Sequence, residues 1–302
     1  MAGIGFLFSG QGDQFPGMGK ALYDTYPAAK QVFDACEALR PGTLDQCFRG
    51  TEEELKQTAN TQPCLYTLEL ASAAVLRERG IVPAAAAGFS LGEIAAAAAA
   101  GLYDLETGFR LVCRRGALMQ RAAGNFDTSM AAVVKLTPET VRELCGRYSQ
   151  VYPVNFNCPG QITVSGLREQ MVPFSADVKA AGGRAIPLKV AGAFHSPFMN
   201  EASRAFAGEL DRVPLAAPRI PLYSNVTGMP YGEDPKDLLS RQIASPVLWE
   251  NIIRNMAHAG IDTFLELGPG KTLTNMVRKI LPQARTYCTA ELETLIREVT
   301  PC

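Results

Sequence analysis

The sequence predicts an α/β protein with a hydrolase-like parallel-sheet core and an inserted ferredoxin-like subdomain. Short apolar runs at residues 4–8 and 82–87 alternate with longer segments of helical periodicity, which is typical of a parallel sheet covered by helices. Residues 125–189 instead follow the order strand, helix, strand, strand, helix, strand, which is the ferredoxin-like pattern. We therefore assign residues 1–124 and 190–302 to the core and residues 125–189 to the subdomain.

Apolar periodicity, glycines and prolines predict the individual elements. The predicted helices span residues 19–39, 62–79, 91–100, 138–148, 169–181 and 251–258. The predicted strands include residues 4–8, 82–87, 130–135, 162–165, 185–190, 221–226 and 263–267. Gly88 should end the second strand, and Gly101 should stop the helix that begins at Leu91. Ser90 is thus predicted to lie at a strand-to-helix junction.

Composition argues against several classes of function. The 302 residues carry a net charge of −1 with both signs interleaved, so no global basic field is expected to hold nucleic acid or an anionic membrane. The N-terminus lacks a charged and apolar leader, and the apolar run at residues 81–102 is interrupted by a proline, three glycines and Glu93. We expect a cytoplasmic protein without a membrane span, and we expect it to be a monomer.

The cysteines and histidines predict neither a zinc site nor a disulfide framework. The eight cysteines show no C-x-x-C spacing, and only two histidines could join them as ligands. In a cytoplasmic chain such thiols are expected to stay reduced. No metal site is predicted.

The segment Gly88-Phe89-Ser90-Leu91-Gly92 matches the G-x-S-x-G pattern of a nucleophile elbow, a strained turn that exposes a serine hydroxyl. The backbone N–H of Leu91 would then face an oxyanion formed at Ser90. A serine at the start of a glycine-rich helix is the alternative interpretation. The position between a predicted strand and a predicted helix favours the elbow.

A serine nucleophile needs a base, and histidine is the usual one. His258 ends a predicted amphipathic helix just before Gly260, where a histidine commonly acts as a C-terminal cap. His195 lies in a loop of small residues after a predicted strand, where little else explains an imidazole. The sequence therefore favours His195.

The turn Gly10-Gln11-Gly12 and the helical Arg115 each allow two interpretations. The turn lacks the third glycine of a dinucleotide fingerprint, and no phosphate-loop motif occurs there, so the alternative is that Gln11 N–H is a second oxyanion donor. Among the neighbouring Arg114 and Arg115, one guanidinium is expected to turn inward. It would bind either a substrate carboxylate or an internal carboxylate such as Glu93.

Together these motifs resemble the malonyl-CoA:acyl carrier protein transacylases and the acyltransferase domains of fatty acid and polyketide synthases. Residues 8–14 (FSGQGDQ) are similar to the family's opening F-P-G-Q-G-S-Q, and residues 88–93 (GFSLGE) are similar to its G-H-S-L-G-E. Further family segments follow in order at residues 61–63, 115–116, 155–166, 192–199, 242–249 and 268–271. The resemblance covers nearly the whole chain, and its specificity lies in the ordered series.

The resemblance implies a role for each candidate catalytic residue. Ser90 is the expected nucleophile and His195 the expected general base. The backbone N–H groups of Gln11 and Leu91 are the expected oxyanion hole. Gln242 stands where the family uses an amide or a backbone carbonyl, rather than an acid, to orient the histidine.

The resemblance also implies a malonyl site. Arg115 matches the arginine that pairs with the free carboxylate of a malonyl group, and Gln62 is expected to line the pocket. Phe194 belongs to the malonyl-associated form of the family's specificity motif and should crowd an α-methyl group. One methylene contributes about 1–3 kcal/mol of discrimination, so a preference is expected rather than exclusion.

Three positions depart from the family pattern. Ser9 replaces a proline and is expected to loosen the turn, whereas Asp13 replaces a serine and adds a negative charge near the entrance. Phe89 replaces the histidine before the nucleophile. Its ring should either alter acyl selectivity or pack beneath the elbow.

The resemblance thus implies transfer of a malonyl group from malonyl-CoA, through an ester on Ser90, to the phosphopantetheine thiol of a holo acyl carrier protein. This ping-pong reaction needs no cofactor besides the substrate and would serve fatty acid synthesis or trans-acting polyketide synthesis. The alternatives are an acyl hydrolase that clears thioesters from carrier proteins, a silent carrier-docking module, and a nucleotide-binding protein. Because carrier proteins are acidic, a basic docking patch is expected. Its candidate members are Arg184, Lys189, Lys271, Arg278 and Lys279.

Overall fold

The computed structural model describes residues 3–188, 190, 192–292, 294 and 296. In chain order its strands are β1 (Gly3–Phe8), β2 (Ala85–Gly88), β3 (Thr128–Val134), β4 (Val151–Cys158), β5 (Gln161–Leu167), β6 (Arg184–Pro187), β7 (Leu222–Tyr223), β8 (Ile261–Leu267) and β9 (Arg285–Cys288). Its helices are α1 (Lys20–Thr25), α2 (Pro27–Leu39), α3 (Thr43–Arg49), α4 (Glu52–Lys56), α5 (Thr58–Glu78), α6 (Gly92–Ala99), α7 (Leu105–Ala123), α8 (Pro138–Cys145), α9 (Arg168–Ala180), α10 (Asn200–Leu210), α11 (Pro235–Arg241), α12 (Trp249–His258) and α13 (Thr272–Ile280).

The larger sheet is parallel and has the strand order β7-β2-β1-β8-β9. Its central strand β1 is an apolar run whose residues Phe6, Leu7 and Phe8 have no exposed surface. Strands covered on both faces are apolar throughout rather than alternating, and the run in β1 follows this rule. The parallel core predicted from the sequence is confirmed.

The register of this sheet determines where a site can form. Phe8 at the end of β1 pairs with Gly88 of β2 and with Leu267 of β8. The segments that leave these three strands therefore begin side by side at the carboxyl edge, where ligands bind in open parallel sheets. Ser9 and Ser90 both follow this edge.

The smaller sheet is antiparallel, with the order β4-β5-β3-β6, and helices α8 and α9 pack on it. The chain order βαββαβ confirms the predicted ferredoxin-like unit. Backbone hydrogen bonds from Phe156 N–H to Val247 O (2.9 Å) and from Val247 N–H to Val154 O (2.8 Å) join β4 to the segment before α12. The boundary at residue 189 stays a prediction because Lys189 lies outside the described residues.

Several element boundaries differ from the prediction. The helix predicted at residues 19–39 is two helices, because Tyr26 is extended before Pro27 and a residue that precedes proline disfavours helical geometry. Helix α5 begins four residues earlier than predicted and contains Pro63. The strands predicted at residues 185–190 and 221–226 are shorter, as β6 and β7, and the edge strand β9 was not predicted.

Among the described residues, no helix combines the length and apolarity that a membrane crossing requires. No group of three or more His, Cys, Asp or Glu side chains in that part of the chain could hold a metal ion. The cysteines that the structure describes are free thiols, most of them buried.

Candidate active site

The turn between β2 and α6 places Ser90 in the left-handed region, with φ 56°. A Cβ atom on Gly88 would lie 1.9 Å from the carbonyl carbon of Gly92, and a Cβ on Gly92 would lie 2.2 Å from the carbonyl oxygen of Phe8. Both neighbours are backbone atoms that cannot move aside. Glycine is therefore required on each side of Ser90, as the elbow motif predicts.

Asn225 holds this turn from the neighbouring strand. Its Oδ1 accepts the backbone N–H of Ser90 (2.8 Å), and its Nδ2 donates to the carbonyl of Gly88 (2.7 Å). Asn225 is fully buried and follows β7 at the carboxyl edge of the sheet. A left-handed conformation at a residue other than glycine costs about 1–3 kcal/mol, and these two bonds help to offset that cost.

The hydroxyl of Ser90 faces the imidazole of His195, with 2.7 Å between Oγ and Nε2. On the other side of the ring, Nδ1 lies 2.9 Å from the backbone carbonyl of Gln242. A carbonyl oxygen can only accept, so Nδ1 carries the proton and Nε2 of the neutral ring presents its lone pair to Ser90. The arrangement has the geometry of a nucleophile with its base.

Burial and, to a smaller extent, the positive charge of Arg115 together lower the pKa of His195 to about 4. The ring is therefore neutral near neutral pH and able to accept a proton. His258 is the exposed last residue of α12 and makes no contact with Ser90 in the described structure. The structure thus brings His195 to Ser90 and leaves His258 outside the site.

Two backbone N–H groups beside Ser90 are free to bind an oxyanion. Leu91 precedes the first turn of α6, and Gln11 lies in the turn that follows β1. In the part of the chain that the structure describes, neither N–H donates to a protein acceptor. Both residues line the cavity at Ser90, and the helix N-terminus adds positive potential at Leu91.

Arg115 of α7 is fully buried and reaches the same point. Its Nη1 donates to Gln62 Oε1 (2.9 Å), and its Nη2 donates to Gln242 Oε1 (2.6 Å) and Ser90 Oγ (3.3 Å). Among the described residues it forms no ion pair with Glu93, which was one of the two alternatives. Burial lowers the pKa of Arg115 to about 10, so the guanidinium stays charged near neutral pH.

The side-chain amide of Gln242 separates Arg115 from Glu93. Gln242 Nε2 donates to Glu93 Oε2 (2.8 Å) and to the backbone carbonyl of Ser90 (2.5 Å), while its Oε1 accepts from Arg115. Glu93 also accepts from Asn225 N–H and the hydroxyl of Tyr231. Gln242 thus contacts His195 through its backbone and Arg115 through its side chain.

A cavity of about 100 Å³ opens beside Ser90 and His195. The three remaining predicted substrate residues, Gln62, Phe89 and Phe194, all line it. The cavity contacts both sheets, because Met130 of β3 and Asn155 of β4 complete its wall. All the predicted site residues therefore lie around one cavity or in contact with residues that line it.

Comparison with known proteins shows the family of this chain. The family described as "Acyl transferase domain" matches residues 5–301. The chain belongs to the acyl transferase domain family. The malonyl CoA-acyl carrier protein transacylase of Bacillus subtilis is 38% identical over 303 residues, covering 98% of this chain and 96% of the relative.

Solved acyl transferase structures share the whole fold. A malonyl CoA-acyl carrier protein transacylase from Clostridium perfringens superposes with a TM-score of 0.94 at 34% identity, covering 98% of this chain and 97% of that one. A malonyl-transacylase solved in complex with its type II polyketide synthase acyl carrier protein gives a TM-score of 0.93 at 32% identity, covering 98% and 100%. The fold class and the family resemblance read from the sequence are thereby confirmed.

The departures from the acyl transferase pattern have local explanations. Phe89 packs edge-on against Trp249, with 5.4 Å between ring centroids, and its residue also lines the cavity, so the effect of its ring on acyl selectivity stays a prediction. The expectation that Ser9 loosens the turn is wrong, because its hydroxyl donates to the carbonyl of Leu267 (3.1 Å) and ties the turn to β8. Asp13 is half-buried and packs closely against Gly270.

The sequence motifs did not assign roles to three residues of this acyl transferase site. Asn225 bonds to the elbow and to Glu93, Tyr231 bonds to Glu93, and Asn155 is a buried amide on the cavity wall. The Oδ1 atom of Asn155 has no hydrogen-bond partner in the described structure. Asn225 lies two residues after β7, whereas the strand predicted at residues 221–226 placed it inside the strand, so its position at the carboxyl edge was not recognised from the sequence.

Proposed function

We propose that this acyl transferase moves a malonyl group from malonyl-CoA, through an ester on Ser90, to the phosphopantetheine thiol of a holo acyl carrier protein. The observation that carries the proposal is a serine hydroxyl placed 2.7 Å from a neutral imidazole and 3.3 Å from a buried guanidinium. The first contact provides nucleophilic chemistry. The second provides a cation for an acyl group that ends in a carboxylate.

In the acylation step, Ser90 Oγ forms a bond to the thioester carbon while its proton moves to His195 Nε2. The carbonyl oxygen becomes an oxyanion, which the N–H groups of Gln11 and Leu91 stabilise. When the carbon–sulfur bond breaks, the thiolate of CoA takes the proton from Nε2. The carbonyl of Gln242 keeps Nδ1 protonated throughout, which orients the ring.

The second half of the reaction reverses these steps with a different thiol. His195 removes the proton of the phosphopantetheine thiol, whose sulfur attacks the malonyl ester, and Ser90 leaves as it regains the proton. The order is ping-pong, because CoA departs before the carrier thiol reacts. Ser90 and His195 supply both the nucleophile and the base, so we propose that no cofactor takes part.

Arg115 selects the acyl group in this proposal. Its acceptors within the described structure are neutral oxygens, the side-chain amides of Gln62 and Gln242 and the hydroxyl of Ser90, and its Nε has no partner there. The charge is thus not neutralised by direct contact with a carboxylate, which favours pairing with the malonyl carboxylate. Phe194 and Phe89 narrow the cavity and so favour a malonyl group without an α-substituent. The expected discrimination against one extra methylene is about 1–3 kcal/mol.

Intact-mass measurement after incubation with malonyl-CoA tests this proposal. We expect a malonyl adduct that is absent from Ser90→Ala and that disappears when holo acyl carrier protein is added. Rapid release of free malonate without a carrier would indicate the hydrolase instead, and no adduct would refute both.

Arg115→Ala should impair malonyl loading and preserve acetyl loading, whereas equal loss of both would refute the carboxylate role.

The carrier is proposed to bind an exposed basic patch, as a partner of a monomeric enzyme in fatty acid or polyketide synthesis. The described members of this patch, Arg184, Lys271, Arg278 and Lys279, are all exposed; Lys189 lies outside the described residues. The double reversal Arg278→Glu/Lys279→Glu should slow transfer to the carrier at low salt and leave Ser90 loading unchanged. The reversal Arg49→Glu/Lys56→Glu on α3 and α4 is the control. Unchanged transfer would exclude Arg278 and Lys279 from the patch.

A further inference from the structure

Glu93 is a fully buried carboxylate three residues after the nucleophile, in the first turn of α6. Its Oε1 accepts from Asn225 N–H (3.0 Å) and Tyr231 hydroxyl (2.6 Å), and its Oε2 accepts from Gln242 Nε2 (2.8 Å). The reaction scheme gives Glu93 no step. A buried carboxylate that accepts three hydrogen bonds but contacts no cation costs folding free energy. Its position beside Ser90 therefore needs an explanation.

The orientation of the Gln242 amide provides that reason. Its Nε2 lies between two groups that can only accept, the carboxylate of Glu93 and the carbonyl of Ser90. Its Oε1 therefore faces Arg115, which can only donate. If the amide turned over, Nε2 would face the guanidinium and Oε1 would face two acceptors. The negative charge of Glu93 thus fixes the amide, and the amide fixes Arg115.

The separation between the two charges matters as much as their coupling. A direct ion pair with Glu93 would occupy the guanidinium and compete with the substrate carboxylate. Because the Gln242 amide lies between them, Glu93 stabilises the charge of Arg115 electrostatically without a direct contact. The remaining N–H donors of Arg115 stay available for a substrate carboxylate. Coulombic attraction to Glu93 accordingly raises the pKa of Arg115 against the lowering effect of burial.

We propose that Glu93 is a positioning residue for acyl selection: through Gln242 it holds Arg115 charged and oriented toward a carboxylated acyl group. The inference rests on the proposed malonyl transfer and extends it to a residue that touches no substrate. Its consequence is that loss of the Glu93 charge weakens malonyl loading more than acetyl loading, because an acetyl group makes no use of Arg115.

The charge on Glu93 is sensitive to pH. Burial raises its pKa to about 7, while the hydrogen bonds from Tyr231, Asn225 and Gln242 and the charge of Arg115 oppose that rise. The buried Tyr103 also interacts with it electrostatically. As the pH falls through about 7, Glu93 takes up a proton and its charge is lost. The ratio of malonyl to acetyl loading should therefore fall with pH in this range, where His195 is still neutral.

Glu93→Gln tests this coupling, because it retains the shape and removes the charge. We expect the ratio of malonyl to acetyl kcat/KM near pH 8 to fall about tenfold, the effect of losing one charge-assisted hydrogen bond. The ratio should also become independent of pH between about 6 and 8, since the titrating group is gone. Glu69→Gln is the matched control. Glu69 is equally buried, and neither carboxylate oxygen has a partner in the described structure.

Tyr231→Phe provides a milder test if Glu93→Gln folds poorly. Removal of a hydroxyl that donates to the carboxylate favours the protonated form of Glu93. The pH at which the ratio falls should therefore move upward in Tyr231→Phe. A thermal melt of each variant shows whether the protein is folded.

Equal loss of malonyl and acetyl loading in Glu93→Gln, with an unchanged pH profile, would overturn the inference and leave Glu93 a structural residue. An unmoved profile in Tyr231→Phe would do the same. Failure of the proposed function looks different. In that case Arg115→Ala itself leaves the ratio of malonyl to acetyl loading unchanged.

Discussion

Asn225 accepts the backbone N–H of Ser90 and donates to the carbonyl of Gly88, so one buried amide bridges both arms of the elbow. Asn225→Ala removes both bonds and leaves two buried backbone groups unpaired. We expect a loss of about 1–3 kcal/mol in the free energy of unfolding and a fall in the rate of Ser90 acylation of at least about tenfold. Urea unfolding and single-turnover loading with malonyl-CoA measure the two effects.

Asn255→Ala is the control for this prediction. Asn255 is a half-buried amide of α12. It donates to the backbone carbonyl of Gly228, outside the site. Its truncation should lower stability without slowing the acylation of an enzyme that remains folded. If Asn225→Ala acylates at the rate of Asn255→Ala, the bridge does not position Ser90.

The low pKa of His195 predicts how the protein responds to acid. The ordinary pKa is 6.5, and burial lowers it to about 4 in the folded chain. Between these values the unfolded state binds the proton and the folded state does not, so stability is present above pH 6.5 and is lost as the pH falls toward 4. NMR titration should show the His195 ring neutral at pH 5.5. A charged His195 at that pH would contradict the prediction.

The sequence predicted the parts of the site that depend on strand ends and sparse residue types. Ser90 follows from the elbow spacing, and His195 follows because the chain has only two histidines and the other ends a helix. The bonds from Asn225 and Tyr231 could not be predicted in this way. Their residue types are common, and their partner Glu93 is more than 130 positions away in sequence.

The same limit applies to Gln242 and Arg115. The family resemblance placed Gln242 beside the histidine, but it did not distinguish the backbone carbonyl from the side-chain amide, and the structure uses both for different partners. Whether Arg115 would meet Glu93 directly also stayed open. The answer depends on whether one side-chain amide lies between the two charges. Side-chain packing determines this, and the spacing of residues in the sequence does not reveal it.

Phe89→His tests the most conspicuous departure from the family. The Phe89 ring contacts Trp249 edge-on, and an aromatic pair of this kind contributes about 0.5–1.5 kcal/mol beyond burial. We expect the histidine variant to lose about 1 kcal/mol of stability and to keep the malonyl adduct on Ser90. Phe15→His, at a half-exposed phenylalanine, is the control for urea unfolding. Equal stability in the two variants would mean that the contact with Trp249 contributes little.

Asn155→Ala probes the unpaired amide on the cavity wall. A buried acceptor without a partner costs free energy in the empty enzyme, so truncation should leave the melting temperature unchanged or slightly higher. A substrate that fills the cavity and donates to Oδ1 loses that bond in the variant. We therefore expect KM for malonyl-CoA to rise about tenfold with little change in melting temperature. An unchanged KM would show that substrates do not use Asn155.

The elbow tolerates no side chain at Gly92, and this can be measured against a glycine with open space around it. In Gly92→Ala the new Cβ would lie 2.2 Å from Phe8 O and 2.5 Å from Ser9 O, both backbone atoms of the central strand and its turn. Helix α6 would have to move off β1, so we expect a loss of more than about 3 kcal/mol, or failure to fold. In Gly208→Ala, inside α10, a Cβ meets nothing within 4 Å, and helix propensity predicts a gain of about 1 kcal/mol. Thermal melts should therefore move in opposite directions. Similar melting temperatures for the two variants would mean that α6 can be displaced from β1 at little cost, and the strained turn at Ser90 would then need another source of support.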